Sequence, residues 1–189
     1  MTSTIGTRIV LVGPTSSGKT TLADRLGTAL GLPSTDLDAL YWKPGWVGAE
    51  DDEWHPRLRA LAAGEGWVVA GNYIRHTMPN LWPRAETIVW LDLPLRVVLP
   101  RVLRRSWRRS RSRELLWGTN VERFWPQLKF WDPKSLVGYA IQTRVRMRNH
   151  MVATMANPAF ARVRFVRLRS PAEIEAFTRA IEAACHSPS

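Results

Sequence analysis

Residues 13–20 form the segment of the chain with the clearest chemical meaning. They read Gly13-Pro14-Thr15-Ser16-Ser17-Gly18-Lys19-Thr20 and satisfy the pattern G-x-x-x-x-G-K-[ST]. Glycines let the backbone curl so that successive N–H groups point at phosphate oxygens, and Lys19 adds a charge that bridges the phosphates. The hydroxyl of Thr20 can ligate Mg²⁺, and Thr21 follows it in the same candidate site. An ordinary strand-to-helix turn is the weaker alternative, so the motif predicts binding of ATP with Mg²⁺.

Two carboxylates follow the first helical segment. Asp36 and Asp38 are two residues apart, and such side chains point to one side of an extended chain. In phosphoryl transfer, one carboxylate can hold magnesium-bound water, and the other can orient the acceptor or take its hydroxyl proton. The alternative is that Asp36 caps a helix that begins near Leu37.

Short apolar runs alternate with helical patterns along the chain, and this order predicts a doubly wound parallel sheet. The run from Ile9 to Val12 predicts a strand buried on both faces, and the apolar residues within 19–30 recur at helical spacing. Further strands are predicted at residues 67–70, 88–91 and 164–168. No linker or repeat interrupts the pattern, so we expect one α/β domain over residues 1–189.

Three helical segments carry additional signals. Ser170 can cap the last helix, in which Pro171 suits the first turn and Glu173 completes a capping box. An apolar stripe begins at Leu95, but Pro100 lies inside it and is expected to kink or split that helix. A third segment predicts a core-facing stripe formed by Met147, Met151 and Met155.

The positive charge is concentrated in one segment. The sequence has 27 Lys and Arg against 16 Asp and Glu, a net charge of +11, and no acidic residue lies between Arg96 and Arg113. This surplus suggests a polyanionic partner, either nucleotide phosphates or a nucleic acid. Tryptophans near the arginines can stack on bases, namely Trp107, Trp117, Trp125 and Trp131. We favour a lid over the γ-phosphate, because phosphoryl transfer requires exclusion of water.

The remaining composition excludes several classes of protein. Cys185 is the one cysteine, so neither an internal disulfide nor a cysteine-based zinc site can form. The first residues lack the apolar core of a signal peptide, and no uncharged stretch approaches the roughly 18 residues of a membrane span. We therefore expect a cytoplasmic protein with no membrane partner. No role is assigned to the scattered histidines, which are His55, His76, His150 and His186.

Several segments together resemble one family. They are GPTSSGKTTLADRLGTALGLPSTDLDALYWKPGW, WVVAGNY, IVWLDLP and an Arg-rich stretch that runs into ELLWGTNVERF. In combination they resemble the adenylate-kinase-like P-loop proteins often labelled topology modulation proteins, small relatives of the nucleoside monophosphate, shikimate and gluconate kinases. The phosphate-loop segment is generic, whereas LDALYWKPGW with GNY is more specific to this group. The resemblance covers residues 8 to about 125 well and residues 166–177 more loosely.

The resemblance implies a P-loop NTPase fold with a five-stranded parallel sheet in the order 2-3-1-4-5, flanked by helices. It also implies an Arg-rich helical lid at about residues 104–125, whose arginines neutralise the transferring phosphoryl group. The arginines assigned to the lid are Arg101, Arg104, Arg105 and Arg108. The turn at Ser170 would lie beside the adenine ring.

On the acceptor side, the resemblance implies that Asp38 faces the acceptor, while Thr20 and Asp36 hold Mg²⁺. The acceptor pocket would be lined by Asn72, Tyr73 and Arg75, with Arg84 approaching from the same side.

One position departs from the family pattern. Relatives commonly have Asp-Gly at the end of the third strand, whereas this chain has Ala70-Gly71. A methyl group therefore replaces a carboxylate that would help to hold magnesium. Either Asp36 carries the water shell of the metal, or catalysis is weak. Asp92 is a poorer substitute, because it is expected to cap the helix that follows residues 88–91.

These observations favour a magnesium-dependent kinase that transfers the γ-phosphoryl group of ATP to a small acceptor. The acceptor would be a nucleoside monophosphate or a similar small hydroxyl or phosphate compound. Lys19, Arg104 and Arg108 would stabilise the transferring charge. Two alternatives stay open, namely an ATP-dependent regulator associated with nucleic acid, and a nucleotide-binding protein with only weak hydrolysis. The sequence determines neither the acceptor nor the oligomeric state.

Overall fold

A central parallel sheet is built from the short apolar runs of the sequence. The computed structural model describes residues 5–122, 124 and 135–186. The strands of the sheet are β1 (Arg8–Val12), β2 (Ser34–Asp36), β5 (Trp67–Ala70), β6 (Thr87–Leu91) and β9 (Arg164–Leu168). Two antiparallel hairpins lie outside it and consist of β3 (Trp42–Lys43) with β4 (Val47–Gly48), and β7 (Leu115–Leu116) with β8 (Asn120–Val121).

Neighbouring strands of the sheet follow the order β2-β5-β1-β6-β9, and all are parallel. This numbering differs from 2-3-1-4-5 because it also counts the short hairpin strands. Numbered among themselves, the strands of the sheet follow 2-3-1-4-5. The chain first adds β2 and β5 on one side of β1, and then β6 and β9 on the other. The carboxyl end of β1 therefore lies where the winding direction changes, the usual position of a ligand site in such sheets.

Helices cover both faces of the sheet. They are α1 (Lys19–Leu30), α2 (Leu37–Tyr41), α3 (Asp51–Ala63), α4 (Ile74–Asn80), α5 (Leu95–Ser112), α6 (Leu136–Met155) and α7 (Pro171–His186). One face packs against the apolar residues of α3 and α6, and the other packs against those of α1 and α7. In β1, Val10 and Val12 contribute to the first core, whereas Ile9 and Leu11 contribute to the second. This alternation explains why the whole run is buried, as its apolar composition predicts.

The structure corrects two expectations about the helices. Pro100 does not split its helix, since α5 continues from Leu95 to Ser112. Val98 and Val102 are fully buried on either side of the proline and pack with residues of α6, while Pro100 itself is exposed. The methionine stripe is only partly internal. Met147 and Met151 are buried, but Met155 in the last turn of α6 is 43% exposed because the helix ends beyond the sheet core.

Part of the proposed lid lies outside the described residues. The description covers residues 104–122 and 124, so Trp125 and Trp131 are not included. Of the other two tryptophans in that segment, Trp107 is half exposed and Trp117 belongs to the turn between β7 and β8. Within the described residues, no helix has both the length and the apolar character needed to cross a membrane.

Candidate active site

The phosphate loop connects β1 to α1 at the carboxyl edge of the sheet. Gly18 precedes α1 with a φ of 98°, a left-handed conformation that favours glycine, and no side chain caps the helix. The N–H groups of the first turn of α1 are therefore free of side-chain caps and can bind an anion. At the other end of the loop, a Cβ atom on Gly13 would lie 2.8 Å from the Cβ atom of Leu91. Both motif glycines are thus required by the backbone path.

Lys19 spans the loop. Its Nζ atom donates to the carbonyl oxygens of Gly13 at 2.9 Å and Pro14 at 3.0 Å. Burial lowers the pKa of Lys19 to about 8, and the positive charge of Arg105 adds to this effect. The carboxylates of Asp38 and Asp36 act in the opposite direction. Lys19 therefore lies among two carboxylates and an arginine at the phosphate loop.

Asp36 caps a helix, as one interpretation of the sequence predicted, and it also contacts the phosphate loop. Its Oδ1 atom accepts from the backbone N–H of Asp38 at 3.0 Å, so it caps α2. Its Oδ2 atom accepts from the hydroxyl of Thr20 at 3.2 Å. Burial, followed by the like charge of Asp38, raises the pKa of Asp36. A cation between Thr20 and Asp36 would relieve this crowding of negative charge.

Asp38 is held by an aromatic cluster on the acceptor side. The hydroxyl of Tyr73 donates to its Oδ1 atom at 2.6 Å. Burial and the charge of Asp38 raise the pKa of Tyr73, so that hydroxyl keeps its proton. The ring of Tyr73 lies 4.6 Å from that of Tyr41 and 5.4 Å from that of Trp54, measured between centroids. These packing contacts restrict the position of Tyr73, and through it the position of the Asp38 carboxylate.

The four arginines assigned to the lid divide into two pairs. Arg105 donates to the Thr15 hydroxyl at 2.9 Å, and Arg101 donates to the Ser17 carbonyl at 3.5 Å. These arginines are four residues apart and share one face of α5. Arg104 and Arg108 form the other pair, and both are exposed. The structure therefore brings Arg101 and Arg105 into contact with the loop, whereas Arg104 and Arg108 are exposed on α5.

Several buried polar atoms around the loop have no partner within the described residues. They are the hydroxyl oxygens of Ser16 and Ser17 and the Nε atom of Arg105. An unpaired buried polar atom is costly and usually indicates a missing ligand or water. Burial is also the main reason why the pKa of Arg105 is lowered. Together these atoms form a polar surface that suits an anion.

A cleft of about 340 Å³ lies beside the loop, between α1 and α7. It is lined by Ser17, Gly18, Thr21, Leu22, Arg25, Arg101, Pro171, Ile174, Glu175 and Thr178. The cleft thus joins the phosphate loop to the turn that precedes α7.

Solved structures of several kinases resemble the fold of this chain. A shikimate kinase from Bacteroides thetaiotaomicron matches with a TM-score of 0.56 and 18% identity, over 96% of this chain and 99% of that chain. A gluconokinase from Sinorhizobium meliloti 1021 matches with a TM-score of 0.54 and 20% identity, over 95% and 91%. The shikimate kinase of Acinetobacter baumannii in complex with shikimate matches with a TM-score of 0.53 and 17% identity, over 93% and 90%.

These likenesses show the fold of the P-loop kinases. No family model matches the chain, and no curated protein sequence matches it significantly. The narrower resemblance to the topology modulation proteins stays a prediction.

The structure gives the contacts or positions of four further predicted site residues. The amide oxygen of Asn72 accepts from the N–H of Gly13 at 3.0 Å, so this side chain supports the phosphate loop. The hydroxyl of Ser170 accepts from the Glu173 N–H and donates to a Glu173 carboxylate oxygen, both at 3.1 Å, as the capping box predicts. Arg84 lies three residues before β6, at the amino edge of the sheet, and the structure does not bring it to the loop. Arg75 is exposed in the first turn of α4, at the carboxyl edge.

Position 70, where the proteins resembled by the sequence commonly have Asp, is apolar. Ala70 is 1% exposed and belongs to the core between the sheet and α1. Asp92 does not replace it, since its carboxylate accepts from the Nε atom of Arg167 at 3.0 Å and does not cap α5. Asp36 is therefore the carboxylate available to a metal at Thr20.

The sequence did not reveal how the two hairpins meet. Asn120 accepts from the Trp46 N–H at 2.9 Å and donates to the Lys43 carbonyl at 3.0 Å, so hairpin β7-β8 is joined to hairpin β3-β4. Glu122 accepts from the Ser106 hydroxyl and lies 3.5 Å from Arg109. Asn120 and Glu122 belong to the segment ELLWGTNVERF, which contributed to the family resemblance. That resemblance was the sequence signal that pointed to these two residues.

Proposed function

We propose that the protein is a kinase that transfers the γ-phosphoryl group of ATP to a hydroxyl group of a small polar molecule. The proposal rests on the proximity of Lys19 to the carboxylates of Asp36 and Asp38 at one edge of the sheet. A phosphate donor held by the lysine and an acceptor held by the carboxylate would face each other there. Such positioning, together with charge stabilisation, accounts for most of the catalysis of phosphoryl transfer.

The residues present fit a magnesium nucleotide. The start of α1 has no side-chain cap, and the hydroxyls of Ser16 and Ser17 have no partner among the residues that the structure describes, so both features suit phosphate oxygens. Thr20 and Asp36 offer a hydroxyl and a carboxylate in contact, the hard oxygen donors that Mg²⁺ takes. Magnesium held there would neutralise charge on the phosphates. The adenine base would occupy the cleft between α1 and α7, near Pro171.

The charges on the acceptor side favour a hydroxyl over a phosphate as the acceptor group. Asp38 can take the proton of a hydroxyl group or orient it, but its negative charge would repel a phosphate. The hydrogen bond from Tyr73 fixes one oxygen of this carboxylate. The named neighbours include a gluconokinase and shikimate kinases, which supports an acceptor of this kind.

Lys19 and the arginines of α5 would stabilise the transferring phosphoryl group. Arg101 and Arg105 already contact the loop and would bind the nucleotide phosphates. Arg104 and Arg108 are exposed one step around the helix, and would have to turn inwards as the lid closes. Closure would also exclude water from the reacting group.

The test is an acceptor panel with purified protein, ATP and Mg²⁺, read by mass spectrometry. The panel contains sugar acids, polyols, hydroxy acids and nucleoside monophosphates. We expect a phosphorylated hydroxyl compound, and loss of that product in Lys19→Ala. Arg162→Ala, which removes an exposed cation from the turn before β9, at the amino edge of the sheet, is the matched control and should keep activity. A panel without any phosphorylated product, or full activity in Lys19→Ala, would contradict the proposal.

The exposed arginines support one alternative, a regulator that binds nucleic acid. Arg104, Arg108, Arg111 and Arg113 are exposed, and none forms an ion pair within the described residues. A fluorescent oligonucleotide would then bind with an affinity that falls steeply with salt and weakens in Arg111→Ala and Arg113→Ala. The kinase proposal expects no such binding at physiological salt.

A further inference from the structure

A compact group of metal-ligating side chains lies apart from the phosphate loop. Asp51 and His55 are four residues apart on α3, and His76 lies in the first turns of α4. Their ligand atoms all lie within 4.8 Å of one another, and within the described residues this is the only group of its kind. We propose that Asp51, His55 and His76 form a binding site for a divalent transition metal of the zinc class.

The fold explains why these distant residues meet. Helix α3 precedes β5 and α4 follows it, and both pack on the same face of the sheet. Trp54 and Leu58 of α3 are fully buried there, which fixes the rotation of the helix. Asp51 and His55 then share the face of α3 that looks towards α4, because residues at i and i+4 are neighbours on a helix.

The separations of the ligand atoms match a tetrahedral metal site. The Nε2 atom of His55 lies 3.1 Å from the Nδ1 atom of His76, and that atom lies 3.6 Å from the Oδ1 atom of Asp51. Ligands bound to zinc at about 2.0–2.1 Å in tetrahedral geometry lie about 3.3 Å apart. Small adjustments of the side chains would therefore admit the ion without a change of backbone.

The chemistry of the three side chains also favours a zinc-class ion over magnesium. Two imidazole nitrogens and one carboxylate oxygen suit zinc, whereas magnesium requires oxygen donors. His76 is 20% exposed and His55 is half-buried, so the imidazoles are partly desolvated and held in place. The side chain of Asp51 is 66% exposed, which leaves one side of the site open to solvent. A water molecule or an external ligand can complete the coordination from that side.

Metal binding here would hold the start of α3 against the first turns of α4. The residue that precedes α4 is Tyr73, and the backbone N–H of His76 donates to its carbonyl at 2.8 Å. The ion would thus stabilise the segment that carries the Tyr73 hydroxyl without taking part in the proposed transfer. The inference does not depend on the proposed function.

The experiment is calorimetric titration of the untagged, nucleotide-free chain with zinc chloride, after treatment with a chelator. We expect one ion per chain, with affinity at least about tenfold weaker in His55→Gln and in His76→Gln. Asp52→Asn removes the neighbouring exposed carboxylate and is the matched control, so its affinity should equal that of the wild type. Asp36→Asn should also bind normally, because the candidate magnesium site is separate.

Two further measurements keep the test decisive if one variant folds poorly. Zinc at about one hundred times its wild-type dissociation constant should raise the melting temperature of the wild type by about 5–10 °C, and that of His55→Gln by about half as much or less. Cobalt(II) should give the visible absorption of a tetrahedral complex in the wild type, and His76→Gln should lose it. Absence of stoichiometric zinc binding, or zinc affinity in both histidine variants equal to that of the wild type, would overturn the proposal.

Discussion

The nucleotide side and the acceptor side of the candidate site are built in different ways. The nucleotide side is one contiguous loop whose shape is set by the backbone, with Lys19 bonded to the carbonyls of Gly13 and Pro14. The acceptor side is assembled from segments that are far apart in the chain. The hydroxyl of Tyr73 donates a hydrogen bond to Asp38, and the side chain of Asn120 joins two hairpins. The first arrangement suits tight binding of a common ligand, and the second allows the acceptor to differ between proteins of one fold.

The largest effect should come from the acceptor side. In Asp38→Asn we expect turnover to fall by about 10²–10⁴, the usual contribution of general acid–base catalysis, while ATP affinity stays unchanged. Steady-state kinetics with the identified acceptor and calorimetry with ATP measure the two quantities. Tyr73→Phe, which keeps Asp38 but removes the hydrogen bond, should lose less. Equal losses of turnover and ATP affinity in Asp38→Asn would remove the distinction between the two sides.

The second prediction concerns the charge of Lys19 on the nucleotide side. Its pKa is lowered from 10.5 to about 8, so the lysine loses its charge as pH rises above 8. ATP affinity should then fall by up to about tenfold per pH unit, because only the charged lysine attracts the phosphates. Calorimetry across this range measures the effect, and Lys19→Ala should show a flatter profile. The same slope in both proteins would show that another group controls ATP affinity.

Without ATP, the contribution of Lys19 to the free energy of unfolding should rise with pH, whereas ATP affinity falls. Between pH 8 and 10.5 the unfolded chain binds more protons at Lys19 than the folded chain does, since the folded-state pKa is the lower one. The contribution of this group to the free energy of unfolding therefore rises with pH across that window. Denaturant unfolding of the wild type and Lys19→Ala isolates the contribution by difference.

Two asparagines provide a matched pair for the third prediction. Asn72 bonds the Gly13 N–H in the phosphate loop, whereas Asn120 bonds the Trp46 N–H and the Lys43 carbonyl between the hairpins. Asn72→Ala should weaken ATP binding by about tenfold, the equivalent of one or two hydrogen bonds. Asn120→Ala should leave ATP affinity unchanged but speed hydrogen exchange at Trp46 by about tenfold. An equal loss of ATP affinity in both variants would mean that the joined hairpins and the phosphate loop act as one unit.

The sequence predicted what depends on neighbouring residues. The buried run of β1 predicted a strand, the motif predicted the loop and Lys19, and Ser170 with Glu173 predicted the start of α7. Each of these signals lies within a few residues, where backbone geometry relates spacing directly to structure. The class of the fold followed from the alternation of such segments.

The contacts that the sequence did not predict join residues far apart in the chain. His55 and His76 are separated by 21 residues, and Trp46 and Asn120 by 74. Neither member of such a pair carries a local pattern, so the pair exists only once the helices and hairpins have packed. The position of Asn72 after β5 predicted the correct edge of the sheet for this residue. It did not predict that the side chain would accept a hydrogen bond from Gly13.

The smallest effect should come from Ser170, at the margin of the nucleotide side. Its hydroxyl is engaged with Glu173 in the capping box, so Ser170→Ala should cost about 1 kcal/mol of stability and lower the melting temperature by about 2–4 °C. ATP affinity should not change, because the hydroxyl is already occupied by the helix. Ser170→Thr, which keeps a capping hydroxyl, is the control and should retain most of the stability. A loss of ATP affinity in Ser170→Ala with stability intact would instead assign this hydroxyl to the nucleotide, and would extend that side beyond the loop.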